Sequence, residues 1–335
     1  MAKRILVLPR TPLQAKLFAP QTMTLLRSLG EVQVNPGETE WTSGELAERV
    51  SGVDVLVTGW GSAKLTDEVL ARADRLRLVA HTAGSVKFML DEGLFARGIR
   101  VTAVAAAMVQ PVAEMTVMLC LLALRPMHRM DAAMRAGESW AKLKVEGVGD
   151  ELISQTIGVI GVGQVGRQVI KLLRAWGVPV AAFDPFMTRE KAAELGVEHC
   201  GTVGELVERS RVVTLHAPVL PETKHLLGAK ELGRLRSGGA VVNTARAWLV
   251  DTAAMEAEVR SGRIWYYTDV YETEPLPDGD KWRTMPNVFL TPHLASHTPQ
   301  AYDRQGRWAV EDVGRFVHGE PLRFEVTAGM LKTMA

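Results

Sequence analysis

A chain of 335 residues suits two domains of about 100 to 200 residues each, and 47 % hydrophobic with 23 % charged side chains is the composition of a folded globular protein rather than a disordered one. Thirty-nine basic against 38 acidic residues leave a formal charge of +1, which excludes the global positive field that draws proteins to nucleic acid or anionic membranes. Small molecules are therefore the expected partners, and the two cysteines, Cys120 and Cys200, have neither metal-ligand spacing nor a paired framework, so no metal and a reducing cytoplasm are expected.

The chain opens with an apolar run over 5–8 that ends at Pro9, too short for the core of a signal peptide, and 4–8 reads as a strand. Further strands are expected at 31–34, 53–58 and 77–80, alternating with helical patterns. One helix starts at Thr42 with Glu45 completing a capping box, another at Thr66 ahead of Asp67 and Glu68. That βαβ rhythm implies a parallel sheet. The apolar stretch 101–124 is long enough to span a bilayer but contains Gln110, Pro111, Glu114 and Thr116, and reads as a buried interdomain helix, its clearest part from about 109 to 124. A polar helical segment follows near 131–139. A second series of strands is expected at 156–161, 178–183, 211–215, 240–243, 264–270 and 288–290. The last helix, 301–317, is amphipathic, leaves no strand to pair in the second sheet, and is expected to return to the first domain.

The expected strand at 156–161 runs into Gly161-Val162-Gly163-Gln164-Val165-Gly166 and a helix. Gly161 permits a tight turn, Gly163 lets the backbone approach a pyrophosphate, and Gly166 allows close helix–strand packing, while the helix N-terminus offers amides to the anion. Asp184 ends the next expected strand, where an acid accepts from the adenine ribose hydroxyls and repels a 2′-phosphate. Arg189 reads as a solvated helix residue, so NAD is expected over NADP.

Three later segments end strands with ionisable groups: Asn243-Thr244-Ala245-Arg246, Asp269 to Glu274-Pro275, and Thr291-Pro292-His293. An arginine grips a carboxylate bidentately, a histidine exchanges protons near neutrality, and a carboxylate beside it favours the charged imidazolium. His293 and His297 are four apart, but Leu294 replaces the glutamate of a zinc-protease motif and Pro292 opposes a helix there.

With Val112-Ala113-Glu114, Leu215-His216-Ala217-Pro218, Leu249-Val250-Asp251 and these three segments in one order, the chain resembles the D-2-hydroxyacid dehydrogenases over nearly its whole length, most strongly from 112 to 298. The resemblance implies an α/β protein of two doubly wound parallel-sheet domains: a discontinuous flavodoxin-like substrate domain of 1–103 and 297–335, and a Rossmann NAD-binding domain of 104–296. It implies NAD-dependent interconversion of a small 2-oxo acid and its D-2-hydroxy acid. Arg246 then binds substrate, His293 is the acid/base, Glu274 bonds to His293, and Asp269 stands behind them. Cofactor contacts fall to Gly161, Gly163, Gln164, Val165, Gly166, Asp184, His216, Ala217, Pro218, Thr244, Ala245 and Asp269. Backbone amides around Ala83, Gly84 and Ser85 hold the substrate carboxylate, although Val86 and Ala247 depart from the family's pattern. Trp60, at a strand end, and Trp248, beside Arg246, are candidate walls of the substrate pocket. A homodimer through 112–140 is implied as well. The rival readings are an NAD(H)-sensing corepressor on the same scaffold and a phosphite- or phosphonate-acting dehydrogenase. The related formate dehydrogenases carry Gln in the role given to Glu274.

Overall fold

Four-residue runs such as Val55–Thr58 and Val212–Leu215 are apolar or β-branched on both sides, and strands of that kind find burial only in a sheet covered on both faces. The computed structural model describes residues 2–90, 93–331 and 334, which fall into two units, the described residues up to Met108 together with those from His297 on, and Val109–Ser296.

In the first unit, β1 (Lys3–Val7), β2 (Gly30–Val34), β3 (Val55–Thr58), β4 (Leu78–His81) and β5 (Arg100–Ala103) lie parallel in the order β2-β1-β3-β4-β5. This is the flavodoxin-like winding. Successive side chains alternate between two cores. Leu56, Val79 and Val101 pack with Leu46, Leu70 and Leu94 on one face, whereas Val57, Leu78 and Ala80 pack with Leu17, Val310 and Val313 on the other. Helix Pro299–His318 supplies the last two, starting from a Thr298 cap and ending at Gly319 in the left-handed region. Its Gly306 lies so close to Leu17 that a β-carbon would stand 1.7 Å from the carbonyl oxygen. The expected return of this helix to the first sheet is thus a close packing contact.

Two elements differ from expectation. Residues 101–103, read as part of an apolar helix, belong to β5, because a short apolar run fits a buried strand as well as a helix. The strand Glu325–Val326 adds antiparallel to β5, so this sheet is mixed rather than wholly parallel. Two residues are too few to show a period. The strand is held instead by Arg100, which donates to both Glu325 carboxylate oxygens at 2.6 and 2.8 Å, and by buried Asp312, which accepts from the amides of Arg323 and Phe324.

The second unit holds seven parallel strands: β6 (Ile157–Ile160), β7 (Val180–Phe183), β8 (Glu198–His199), β9 (Val212–Leu215), β10 (Ala240–Asn243), β11 (Trp265–Thr268) and β12 (Val288–Leu290). Their order is β12-β11-β10-β9-β6-β7-β8, which reverses direction between β6 and β9. Open α/β sheets bind ligands outside the strand C-termini at such a switch point. Helix Val109–Leu124 is long and apolar enough, with the turn before it, to cross a membrane by length and composition alone. Here it packs on helix Gln164–Ala175, burying Ala113, Leu119, Cys120 and Leu124 against Val159, Val169 and Leu173. The polar segment expected at 131–139 is two helices, Met127–Arg135 and Trp140–Glu146, broken at Gly137 with φ of 80°.

Candidate active site

The glycine turn after β6 gives each glycine a separate cause. Gly161 has φ of 91°, and a β-carbon there would lie 2.6 Å from the Ala217 nitrogen, while one on Gly166 would lie 2.0 Å from the Gly161 oxygen. Both positions are closed by the protein's own backbone. Gly163 is the opposite case, since a β-carbon there meets nothing within 4 Å, so the second glycine faces open space at the start of helix Gln164–Ala175. No side chain caps that helix, which leaves the first-turn amides around Gln164 and Val165 directed at that space. An open cradle lined by amides at a helix N-terminus fits a pyrophosphate.

Asp184 follows β7. One carboxylate oxygen accepts the Val162 amide at 2.8 Å and the other the Phe186 amide at 2.9 Å, so the acid also fastens the glycine turn to the next strand. A cavity of about 190 Å³ opens beside it, lined by Val162, Arg167, Asp184, Phe186, Met187, Lys191, Glu194 and Leu195. Arg189 is exposed, as expected, but Arg167 and Lys191 bring two cations to the cavity that the spacing argument did not find. After β9, the His216 amide bonds the Ile160 carbonyl at 2.7 Å and Ala217 closes over Gly161. Burial pushes the His216 imidazole down to about 3, so it is neutral near pH 7, and its Nε2 meets the Thr214 hydroxyl at 3.1 Å. Pro218 follows, partly buried, and its carbonyl accepts the Thr223 hydroxyl at 2.7 Å.

The loop after β10 is organised by Asn243. Its amide nitrogen donates to the Arg246 carbonyl at 2.9 Å, and its oxygen accepts the Ala245 amide at 3.1 Å. Thr244 turns inward, its hydroxyl 2.8 Å from that of Thr116 on the long apolar helix. Arg246 is partly buried and donates to the Ala245 carbonyl at 2.6 Å. Burial lowers its pKa from the usual guanidinium value while the Glu274 carboxylate acts in the other direction. Trp248, two residues on, donates from its indole to the Leu220 carbonyl at 3.0 Å under the Lys224 ammonium, so its ring lies on the 218–224 segment.

His293 and Glu274 are joined directly, with Nδ1 2.7 Å from Oε2. The other Glu274 oxygen accepts the Tyr271 amide at 2.9 Å, which fixes the carboxylate. His293 itself has φ of 54°, a backbone conformation that costs a non-glycine residue free energy and collects at functional sites. Asp269 shows what holds it there. Expected both behind the catalytic residues and as a cofactor contact, it is fully buried, and its oxygens accept the Thr291 hydroxyl at 2.7 Å and the amides of Leu294 and Ala295 at 2.8 Å each. Tyr271 adds a hydroxyl bond to the Thr291 carbonyl at 2.8 Å. Neither Tyr271 nor Asn243 was singled out from sequence, although both sit inside the segments that were.

The remaining candidates lie in the first unit. Trp60 follows β3 and packs against His297 and Tyr302 with ring centroids at 5.4 and 5.8 Å. After β4, Ala83 is buried while Gly84 and Ser85 are partly exposed. A β-carbon on Gly84 would lie 3.0 Å from Met108 Cε, so glycine keeps this turn close to the end of the next segment.

Residues 117–295 match the family model described as D-isomer specific 2-hydroxyacid dehydrogenase, NAD binding domain. The chain is 33 % identical over 88 % of its length to a D-3-phosphoglycerate dehydrogenase from Methanocaldococcus jannaschii, covering 55 % of that protein. It thus spans about half the length of several curated relatives that it matches. It is 31 % identical to a glyoxylate reductase from Aeropyrum pernix, with 93 % of this chain and 94 % of that one covered. Among solved structures, D-2-hydroxyisocaproate dehydrogenase superposes with a TM-score of 0.84 at 25 % identity, covering 97 % of this chain and 99 % of the other.

Proposed function

The chain belongs to the D-isomer specific 2-hydroxyacid dehydrogenase family, and on that premise we propose that it is an NAD-dependent oxidoreductase interconverting a small 2-oxo acid and its D-2-hydroxy acid. The observation that carries this reading is the Glu274–His293 pair at 2.7 Å on the same sheet as the partly buried Arg246 and the open glycine turn.

The second unit holds the dinucleotide through Gly163, the first-turn amides and Asp184. NADH bound there supplies the hydride. Arg246 grips the substrate carboxylate and polarises the carbonyl with its fork of donors. Glu274 accepts the Nδ1 proton of His293, which leaves Nε2 to carry the transferable one. In reduction that proton passes to the carbonyl oxygen as hydride reaches C2, and in oxidation a neutral His293 takes it back. Gly84 and Ser85, in the turn after β4, are the proposed amide donors to the carboxylate. A relative named glyoxylate reductase and another named hydroxypyruvate reductase support a small 2-oxo acid as substrate.

Exposed apolar side chains concentrate between 118 and 148, including Met118, Met127, Met134, Trp140 and Val145, and so large a set supports a homodimer through this surface. Cys120 and Cys200 are buried and free, in keeping with a cytoplasmic enzyme. The test is NADH oxidation against a panel of 2-oxo acids. Turnover of none of them by protein that binds NADH would remove the proposal.

A further inference from the structure

We propose that the 2-oxo acid selected by this protein carries an uncharged, apolar side chain of several carbons, and not a phosphate or a second carboxylate. The inference rests on the reading that the turn after β4 receives the substrate carboxylate.

Adjacent strands of a sheet are about 4.8 Å apart, so whatever sits on the turn after β4 has the segments after β3 and β5 within a few bond lengths. The contacts in the first unit show this closeness on both sides. A β-carbon on Gly59, just before Trp60, would lie 3.0 Å from the Thr82 hydroxyl, and one on Gly84 would lie 3.0 Å from Met108 Cε and 3.9 Å from Ala105 Cβ. A carboxylate on the amides of Gly84 and Ser85 would have as its neighbours in this unit the segments that carry Trp60, Ala105 and Met108.

Two aromatic rings border this edge. Trp60 is held half-buried between His297 and Tyr302. Phe88 is 48 % exposed, an unusual place for a phenyl ring, with the His81 ring 5.9 Å behind it. Large apolar side chains left in water beside a polar anchor mark where an apolar ligand is covered.

The charges at the same edge do not suit a second anion. Arg10 is 3.5 Å from the Glu40 carboxylate, and Lys64 and Lys87 are solvent-exposed. His81, buried behind the turn, is neutral near pH 7. Among the described residues of this edge no buried side chain is cationic, and taking a phosphate out of water without a paired cation is costly.

The test compares kcat/KM for NADH-dependent reduction of glyoxylate, which has no side chain, with 4-methyl-2-oxopentanoate, phenylpyruvate, hydroxypyruvate and its 3-phosphate. The wild type should favour one of the two apolar acids over glyoxylate by about 10-fold or more, the usual scale for added methylenes in an apolar pocket, with the phosphorylated acid below hydroxypyruvate. Trp60→Ala should lower the ratio of apolar acid to glyoxylate about 10-fold through KM, and Trp60→Phe should restore most of it. Preference for the phosphorylated acid, or no preference for an apolar one, would overturn the inference while leaving 2-oxo acid reduction intact. The wild-type comparison decides this even if Trp60→Ala fails to fold. Failure of all five acids with NADH bound would instead remove the underlying activity, and the inference with it.

Discussion

A carboxylate 2.7 Å from Nδ1 leaves Nε2 as the nitrogen of His293 proposed to exchange a proton. With Nδ1–H donated to Glu274, Nε2 is the exchangeable site, and an amide in place of the acid can present its nitrogen to Nδ1 and reverse the tautomer. Glu274→Gln should therefore lower kcat for reduction by more than about 10-fold, though by less than loss of the histidine itself, with NADH affinity unchanged. Stopped-flow single turnovers check this apart from product release. Arg246→Lys keeps the charge but loses the fork, so the KM for the oxo acid should rise and kcat fall while NADH binding holds. Unchanged kinetics in that variant would place the substrate anchor elsewhere. Asp184 accepts the Val162 amide and lines the cavity proposed to take the nucleotide. Asp184→Ala should cost more kcat/KM with NADH than with NADPH, because it removes both a ribose acceptor and the repulsion of a 2′-phosphate. Lys191, and Arg167 with its Nε donated to the Val162 carbonyl at 2.9 Å, line the cavity which that phosphate would enter. An equal loss with both cofactors would reduce Asp184 to a fastener of the turn.

At the scale of elements, the loop that carries His293 is held by a strand end rather than by its own sequence. Asp269 takes one hydroxyl and two amides from 291–295, and these bonds keep a non-glycine residue at φ of 54°. Asp269→Asn replaces one acceptor oxygen with a donor that faces an amide. A buried bond to a charged acceptor is worth about 1.5 to 3 kcal/mol, and urea unfolding should show a loss of that order in the second unit. The activity should fall further than stability alone explains, since misplacing a catalytic group by about 1 Å can cost 10²-fold. The same elements show what was legible beforehand. The glycine turn, the capping box at Thr42 and the strands β10 and β12 were readable because a local rule with a fixed spacing applies to each. Strand β5, two-residue β8 and Glu325–Val326 were not, because strands this short have no measurable period and exist only through their neighbours. Arg246, Glu274 and His293 were visible as strand-end motifs. The Thr116–Thr244 bond joins residues 128 apart in the chain, and no spacing rule reaches that far.

For the whole molecule, each unit holds a neutral histidine at the C-terminal end of an interior strand, His81 fully buried and His216 partly so. Burial pushes His81 in the first unit and His216 in the second down to about 3. An unfolded chain protonates a histidine near pH 6.5, so below that value the unfolded state binds a proton that the folded state refuses. The stability owed to these neutral rings is complete above about pH 6.5 and declines as pH falls toward 3. The slope from His81 is at most about 1.4 kcal/mol per pH unit. Thermal melts from pH 7.5 to 5 should show Tm falling on the acid side, and His81→Gln should flatten the fall in the first unit's transition. An equal slope in the variant would locate the acid sensitivity elsewhere. The discontinuity of the first unit was readable from one fact, that helix Pro299–His318 had no strand left to serve in the second sheet. Its seat against Leu17 and the antiparallel strand beyond it were not, because both depend on close approaches such as Gly306 against a carbonyl.

His293 is the proposed proton donor of an NADH-dependent 2-oxo acid reduction. The most direct measurement is kcat for that reduction in the wild type and in His293→Ala, alongside NADH binding by fluorescence titration. The predicted result is a loss on the order of 10²- to 10⁴-fold in kcat with NADH affinity intact. A variant that reduces the oxo acid at the wild-type rate would contradict it.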